Sequence, residues 1–247
     1  MKSNSRAFAA ACRLIGRSLG WLLLGLAGVG MALRLQSTIF PVVGALVAAW
    51  ILFAAFTLYF FRDPDPQVPT APDVVVAPAH GLVDCVEETE ELEFMGGVCR
   101  RISIFLSIMD VHVQNAPVSG KVIRLKYQPG QFLSALKTES AACNENVFLG
   151  IESSEHPGER LVVRPIAGLI ARRIVSWVGV GDTVARGQRL GLIQYGSRCD
   201  LYLPLVAQVA VQPGDRVVGG DTVIARRAVA PPRPNPAAAT PATPALS

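Results

Sequence analysis

The chain has 247 residues, of which 51% are hydrophobic, and a formal net charge of +4 at pH 7. This length fits one globular domain with an appendage, and the modest positive charge, concentrated near the N-terminus, favours an anionic lipid surface over nucleic acid as partner. The five cysteines are scattered and include no Cys-x-x-Cys pair, which argues against a zinc ribbon or disulfide framework and fits a reducing compartment.

Two apolar segments near the N-terminus account for the mean hydropathy of +0.38. Residues 39–61 carry no charge and form a segment long enough to cross a bilayer. The segment of residues 18–33 is shorter, so a buried or re-entrant helix is an alternative to a transmembrane helix there. A signal peptide is a further alternative for the first segment, but no small-x-small cleavage site precedes Arg34. The basic N-terminus favours a transmembrane helical hairpin over residues 1–62, with both ends in the cytoplasm. Arg34, in the short intervening loop, counts against this orientation.

The rest of the chain predicts a linker, a β-rich domain and a tail. Residues 63–72 are proline-rich and predict a stiff linker. Residues 73–227 contain short β-branched runs between Gly and Pro turn signals, which predicts a mainly β sandwich or barrel. Residues 228–247 are rich in Ala, Pro and Thr and predict a disordered tail.

A repeated turn pattern supports this β architecture. Gly-Asp-x-Val-x-x-Gly occurs at residues 181–187 and again at 214–220. Such turns suit tight connections between short strands and look like the hairpins of biotinyl and lipoyl domains. A carrier domain would need a modifiable lysine in the turn, and neither copy has one, so we interpret both as scaffold turns.

Gly196 and Ser197 lie inside an otherwise strand-like apolar segment, residues 192–204. A Gly-Ser pair alone usually marks a turn. However, glycine lets another group approach its carbonyl closely, and the adjacent serine supplies a hydroxyl that could attack it.

The surroundings of this pair resemble a known family. The matching segments are Tyr-Phe-Phe-Arg-Asp-Pro at 59–64, Pro-Ala-x-Gly at 78–81, and residues 111–120, 166–174 and 192–204. In this order they are similar to the short (type A) prokaryotic form of phosphatidylserine decarboxylase proenzymes, over roughly residues 20–226.

The resemblance implies a self-made cofactor. Ser197 would attack the Gly196 carbonyl, split the chain into a β chain (residues 1–196) and an α chain (residues 197–247), and become a pyruvoyl group. That group is an electron sink for decarboxylation, a task otherwise given to pyridoxal phosphate; the sequence offers no convincing phosphate-binding loop for the latter. We therefore expect a pyruvoyl-dependent lyase that converts phosphatidylserine to phosphatidylethanolamine and CO₂ at the inner membrane. Its catalytic domain would be cytoplasmic, it would use no metal and no nucleic acid, and a homo-oligomer is compatible with this.

The resemblance also assigns a catalytic histidine and exposes a departure. His112 matches the family's catalytic histidine region and is the candidate proton acceptor. Where the family usually has Asp in Pro-Ala-Asp-Gly to orient the imidazole, this chain has His80. Either His80 is itself a base, or Asp110 or Asp84 replaces the carboxylate, or processing is slow.

Two other functions compete with this interpretation. The first is a membrane-anchored relative that never self-cleaves because of His80. The second is a β-rich zinc peptidase, which the sequence disfavours because Gln114 stands where a His-x-His pair needs its second histidine. Arg172, Arg173 and Arg198 are candidates to meet phosphate or carboxylate, with solvated surface charge as the alternative.

Overall fold

The computed structural model describes residues 4–32, 39–132, 143–168, 173–194 and 197–227. Gly196, Arg34, Arg172 and the predicted tail at 228–247 lie outside these residues. Two helices come first: α1 (Asn4–Ala32) and α2 (Ile39–Phe60).

The described residues after α2 form fourteen strands. Their bounds are β1 (Val74–Val76), β2 (Gly81–Glu91), β3 (Gly97–Leu106), β4 (Val113–Asn115), β5 (Gly120–Gln128), β6 (Asn146–Ser153), β7 (Arg160–Ala167), β8 (Arg173–Ser176), β9 (Thr183–Val184), β10 (Arg189–Gln194), β11 (Ser197–Leu203), β12 (Gln208–Val209), β13 (Arg216–Val217) and β14 (Val223–Arg226).

These strands form one large curled sheet and two small ones, and the pairings between them are antiparallel. The large sheet has the order β13-β2-β3-β11-β7-β6-β5-β9, and the small sheets have the orders β4-β10-β8 and β1-β14-β12. The predicted mainly β fold, preceded by two apolar helices, is confirmed.

Strand β11 lies in the middle of the large sheet, hydrogen-bonded to β3 on one side and β7 on the other. All seven of its residues are buried. Cys199, Leu201 and Leu203 face the main hydrophobic core, while Tyr202 packs in a second cluster on the opposite face. Both faces and both edges of this strand are therefore covered, so it cannot shift without disrupting the large sheet.

The two Gly-Asp repeats form equivalent turns. Gly181 and Gly214 have φ angles of 97° and 101°, a backbone region that favours glycine. In each turn the following aspartate accepts a hydrogen bond from a backbone N–H three residues earlier: Asp182 from Gly179, and Asp215 from Gln212, both at 2.8 Å. The repeat therefore encodes a scaffold turn, as the sequence indicates.

The two helices pack on each other and on the small sheet that contains β10. Ala7 and Ala11 of α1 are buried in one apolar cluster with Phe60 of α2 and Leu192 of β10. Further along, the indole of Trp50 donates a hydrogen bond to Ser18 Oγ at 3.2 Å. Helix α1 thus begins well before the apolar segment at 18–33, and its first turns lie against the β domain. By length and composition, both helices could cross a membrane.

A close approach between β8 and β10 generates the first prediction. A Cβ added at Gly191 would collide with the carbonyl oxygen of Val175, whereas one at Gly97 would meet nothing within 4 Å. We expect Gly191→Ala to lower the free energy of unfolding by about 1–3 kcal/mol and Gly97→Ala to change it by less than about 0.5 kcal/mol. Thermal denaturation of both variants measures this, and equal melting temperatures would contradict the close approach.

Candidate active site

The segment around Gly196 and Ser197 connects two different sheets. Strand β10 ends at Gln194, which pairs with Arg173 in a small sheet. Strand β11 begins at Ser197, whose neighbours in the large sheet are Leu106 and Ala167. Only residues 195 and 196, outside the described part of the chain, separate these two paired positions. The two described residues that flank this junction, Gln194 and Ser197, are therefore each held in a hydrogen-bonded strand.

Ser197 is fully buried, and its hydroxyl has no hydrogen-bond partner among the described residues. Leaving a buried hydroxyl unpaired costs about 1–3 kcal/mol. Such a group is commonly found where function requires it. A buried serine Oγ without a described partner, in the residue that follows a glycine in the sequence, fits the nucleophile that would generate a pyruvoyl group in place.

The next residue, Arg198, is also buried and forms a two-pronged ion pair with Asp84 of β2. Its Nη2 lies 2.6 Å from Asp84 Oδ2 and its Nη1 lies 3.0 Å from Oδ1. A bidentate pair of this kind is geometrically specific and fixes the start of β11 next to the serine. Asp84 therefore has a structural partner in Arg198, and Arg198 is not a surface charge.

His112 is fully buried just before β4, with its ring against the aromatic end of α2. Its ring centroid lies 4.3 Å from that of Phe60. The ring Nδ1 lies 2.9 Å from the carbonyl oxygen of Asp110, and because a carbonyl can only accept, Nδ1 carries the proton. Burial lowers the pKa of His112 to about 4. The neutral ring then has its lone pair on Nε2, the atom able to accept a proton.

His112 is tied to the strand that leads into the junction. Its carbonyl oxygen accepts a hydrogen bond from the N–H of Ile193 at 3.1 Å and another from the side chain of Gln114 at 2.7 Å. The histidine therefore lies beside β10, one residue before that strand ends at Gln194. Among the described residues, no cluster of three or more His, Cys, Asp or Glu side chains could hold a metal.

His80 lies half-buried in the turn that precedes β2, within electrostatic reach of His112. Burial lowers its pKa, and its charge in turn contributes to the lowered pKa of His112. The turn requires glycine at the next position, because Gly81 has a φ of 151° and a Cβ there would collide with the carbonyl of Phe105.

The carboxylate of Asp110 is held by other groups. It accepts a hydrogen bond from the N–H of Ser107 at 2.8 Å and pairs with Arg216 at 3.1 Å. Asp110 contacts the imidazole through its backbone carbonyl instead. Of the alternatives that the sequence leaves open, the structure thus brings His80 and the Asp110 carbonyl near His112 and engages Asp84 elsewhere.

Comparison with known proteins covers this whole region. The family model for phosphatidylserine decarboxylase matches residues 53–225, which include His80, His112 and Ser197. The chain belongs to the phosphatidylserine decarboxylase family.

Curated relatives agree over most of their length. The phosphatidylserine decarboxylase proenzyme of Symbiobacterium thermophilum is 45% identical over 200 residues, which are 75% of this chain and 92% of the relative. The proenzyme of Desulfotalea psychrophila is 44% identical, covering 72% of this chain and 83% of its own. The proenzyme of Carboxydothermus hydrogenoformans is 42% identical, and the match covers 76% of this chain and 90% of the relative. The resemblance read from the sequence motifs is confirmed, and the chain is a member of an enzyme family.

Sequence reasoning did not find two parts of this site. The stacking of Phe60 on His112 joins residues far apart in the chain, although the Tyr-Phe-Phe motif at 59–64 marked the position. The pairing of Arg198 with Asp84 had a weak signal, namely an aspartate among apolar residues at the start of β2 and an arginine near the start of β11. The roles of Ser197, His112 and His80 in the chemistry remain predictions.

The stacking of Phe60 on His112 predicts an unusual titration. We expect the imidazole of His112 to titrate near pH 4 and to move towards 6.5 in Phe60→Ala, because water then reaches the ring. The matched control is Phe56→Ala, since Phe56 contacts Phe60 from the adjacent turn. Histidine-selective NMR can resolve the signals, because the chain has only three histidines.

The lowered pKa of His112 also makes the stability of the fold depend on pH. The unfolded chain takes up a proton at His112 near pH 6.5 and the folded chain only near pH 4, so this group destabilises the fold progressively as pH falls through that window. A wild-type midpoint for His112 at 6.5 would contradict the buried environment.

Proposed function

We propose that this protein is a pyruvoyl-dependent phosphatidylserine decarboxylase that matures by cutting itself between Gly196 and Ser197. The observation that carries the proposal is the buried Ser197 hydroxyl, unpaired among the described residues, at the first position of the central strand of a family member. Phosphatidylserine would lose CO₂ and leave as phosphatidylethanolamine.

Self-cleavage would begin with the Ser197 hydroxyl. Its Oγ attacks the Gly196 carbonyl carbon and the amide becomes an ester. Loss of the Ser197 Cα proton then expels the Gly196 carboxylate from Cβ, which breaks the chain and leaves dehydroalanine at position 197. Addition of water and departure of ammonia convert this residue to the pyruvoyl group. Glycine at position 196 leaves the carbonyl open to attack.

His112 would act as the base that activates the serine. A serine hydroxyl is a weak nucleophile until a neighbouring base takes its proton. The neutral ring of His112 presents Nε2 for that purpose at any pH well above 4, while the Asp110 carbonyl holds the ring by Nδ1. In this chain a backbone carbonyl would thus take the orienting role that the family gives to a carboxylate.

In the mature enzyme, residue 197 would hold the cofactor. A pyruvoyl group there supplies a carbonyl that captures the substrate amine and an electron sink for the charge left by CO₂. Leu106 and Ala167, on the neighbouring strands, enclose the position and limit water. Nε2 of His112 would hold or return the proton that replaces CO₂.

The helical hairpin would keep the site at the membrane where the two-chain substrate resides. Confinement to that surface raises the effective concentration of substrate. We propose that α1 and α2 anchor the chain in the inner membrane with the β domain in the cytoplasm, as the basic N-terminus favours.

A second candidate is a relative that does not cleave itself. His80 favours it, because a neutral imidazole cannot supply the charge of the usual aspartate.

Removal of the nucleophile tests the proposal. Ser197→Ala should leave a single chain of 247 residues without decarboxylase activity, whereas the wild type should give two chains split after Gly196. Ser176→Ala, which removes a half-buried serine from β8, should cleave normally. Intact mass under denaturing conditions and CO₂ release are the two measurements. A cleaved, active Ser197→Ala protein would refute the mechanism.

Substitution at position 80 separates the two candidates. His80→Asp places a carboxylate within reach of His112, so we expect a raised pKa for that ring, a stronger base and faster self-cleavage. The uncharged His80→Asn should not accelerate it. The time course of chain splitting after synthesis measures the rate. If His80→Asp and His80→Asn behave alike, position 80 does not assist the base.

A further inference from the structure

An open cavity of about 800 Å³ lies between α1 and the small sheet that contains β8 and β10. Four arginines line it, and we call it the arginine cavity: Arg6, Arg13 and Arg17 from α1, and Arg173 from β8. The spacings of seven and four residues place the three helical arginines on one face of α1. All four are exposed and accessible.

The arginine cavity collects positive charge, and no acidic side chain among the described residues compensates it. The described residues of its lining include no Asp or Glu, and none of the four arginines forms a salt bridge within the described part of the chain. Other arginines of the β domain, such as Arg189 and Arg198, are paired with carboxylates. Guanidinium groups gathered in this way match the oxygens of a phosphate, which they bind in two-pronged fashion.

The remaining lining of the arginine cavity is largely apolar, so it favours phosphate compounds that also carry an apolar part. Leu14, Val175, Trp177 and Leu192 form apolar walls next to the arginines. Beyond Arg17, α1 continues into an apolar segment with Trp21 and other large side chains exposed. In a phosphate attached to glycerol and acyl chains, the phosphate would bind the arginines and the acyl chains would contact the apolar side chains.

The arginine cavity is lined in part by β10, the strand that leads to Ser197. Gln194, the last residue of β10, belongs to its lining and is followed after two residues by Ser197. Leu192, also in the lining, packs in the same cluster as Val113, the neighbour of His112. A ligand in the cavity therefore lies beside the strand that carries the junction.

We propose that the arginine cavity binds the phosphodiester of the glycerophospholipid substrate, with the headgroup beside Gln194 and residue 197. This rests on the proposed function and adds binding residues to it. Helix α1 would then contribute half of the substrate site as well as part of the anchor.

The first test is kinetic. In the full chain, Arg13→Gln and Arg173→Gln should self-cleave completely by intact mass but lose roughly 10- to 100-fold in kcat/KM, mainly through KM, since a charge-assisted bond to phosphate is lost. Phosphatidylserine is presented in neutral detergent micelles so that surface charge stays constant. Arg13→Lys should recover part of the loss. Arg226→Gln, an exposed arginine of β14 without a salt bridge to any described residue, is the matched control and should equal the wild type.

The second test is binding without turnover. In the Ser197→Ala chain, glycerophosphoserine should change the fluorescence of Trp177 saturably, and Arg13→Gln or Arg173→Gln should abolish the change; Trp177→Phe assigns the signal. Inorganic phosphate at the same concentration should have little effect. This arm reports on the cavity even if the wild type neither cleaves nor decarboxylates, so failure of the proposed function and failure of the cavity are distinguishable.

Three results would overturn the assignment. Arginine variants with wild-type KM and wild-type binding would show that the cavity is not used. An equal response to inorganic phosphate would indicate a free-phosphate site rather than a lipid site. A third result would be that the arginine variants lose binding to phosphatidylserine and phosphatidylglycerol vesicles equally, while their KM in neutral micelles is unchanged. The arginines would then serve only a general attraction to an anionic surface.

Discussion

The fixed position of β11 is the constraint on which the rest of the site depends. The strand is hydrogen-bonded to β3 and β7 along both edges and buried on both faces, so Ser197 at its start cannot shift without breaking the large sheet. The preceding strand, β10, belongs to another sheet and stops two residues earlier. The ladders on either side fix the positions of Gln194 and Ser197, and they offset the cost of a buried hydroxyl that has no partner among the described residues. The residue proposed as the nucleophile is thereby placed in a strand that is paired along both edges.

The helices complete the site from the other side. Phe60, the last residue of α2, excludes water from His112, and burial is the dominant cause of the lowered pKa of that ring. The same cluster includes Ala7 and Ala11 of α1 and Leu192 of β10. By length and composition the two helices could cross a membrane, and the part of them nearest the β domain lowers the pKa of His112 by burying its ring. Removal of the helices would therefore expose the ring of His112 to water and raise its pKa.

Local patterns in the sequence were sufficient for the architecture. The β-branched runs, the Gly-Asp turns and the two apolar segments each depend on neighbours in the chain, so the mainly β fold and the helical pair could be predicted. The order of the motifs identified the family. Contacts between distant segments could not be predicted in this way. The pairing of Arg198 with Asp84, the stacking of Phe60 on His112 and the placement of α1 over β8 and β10 arise only when the chain is folded. The contact of the Asp110 carbonyl with His112 could not be predicted for a further reason: every residue has a backbone carbonyl, so the sequence does not indicate which one is used.

The central place of β11 also determines what a cut after Gly196 would leave behind. The C-terminal fragment would contain β11 to β14. In the large sheet β11 lies between two strands of the N-terminal fragment, and β13 and β14 pair with β2 and β1 of that same fragment. Neither fragment would keep a closed core, since the inner faces of both are completed by the other. The product would be an obligate heterodimer whose subunits interleave within single sheets. Its dissociation would be equivalent to unfolding, so the two polypeptides, once separated, would not be expected to reassociate as preformed domains do.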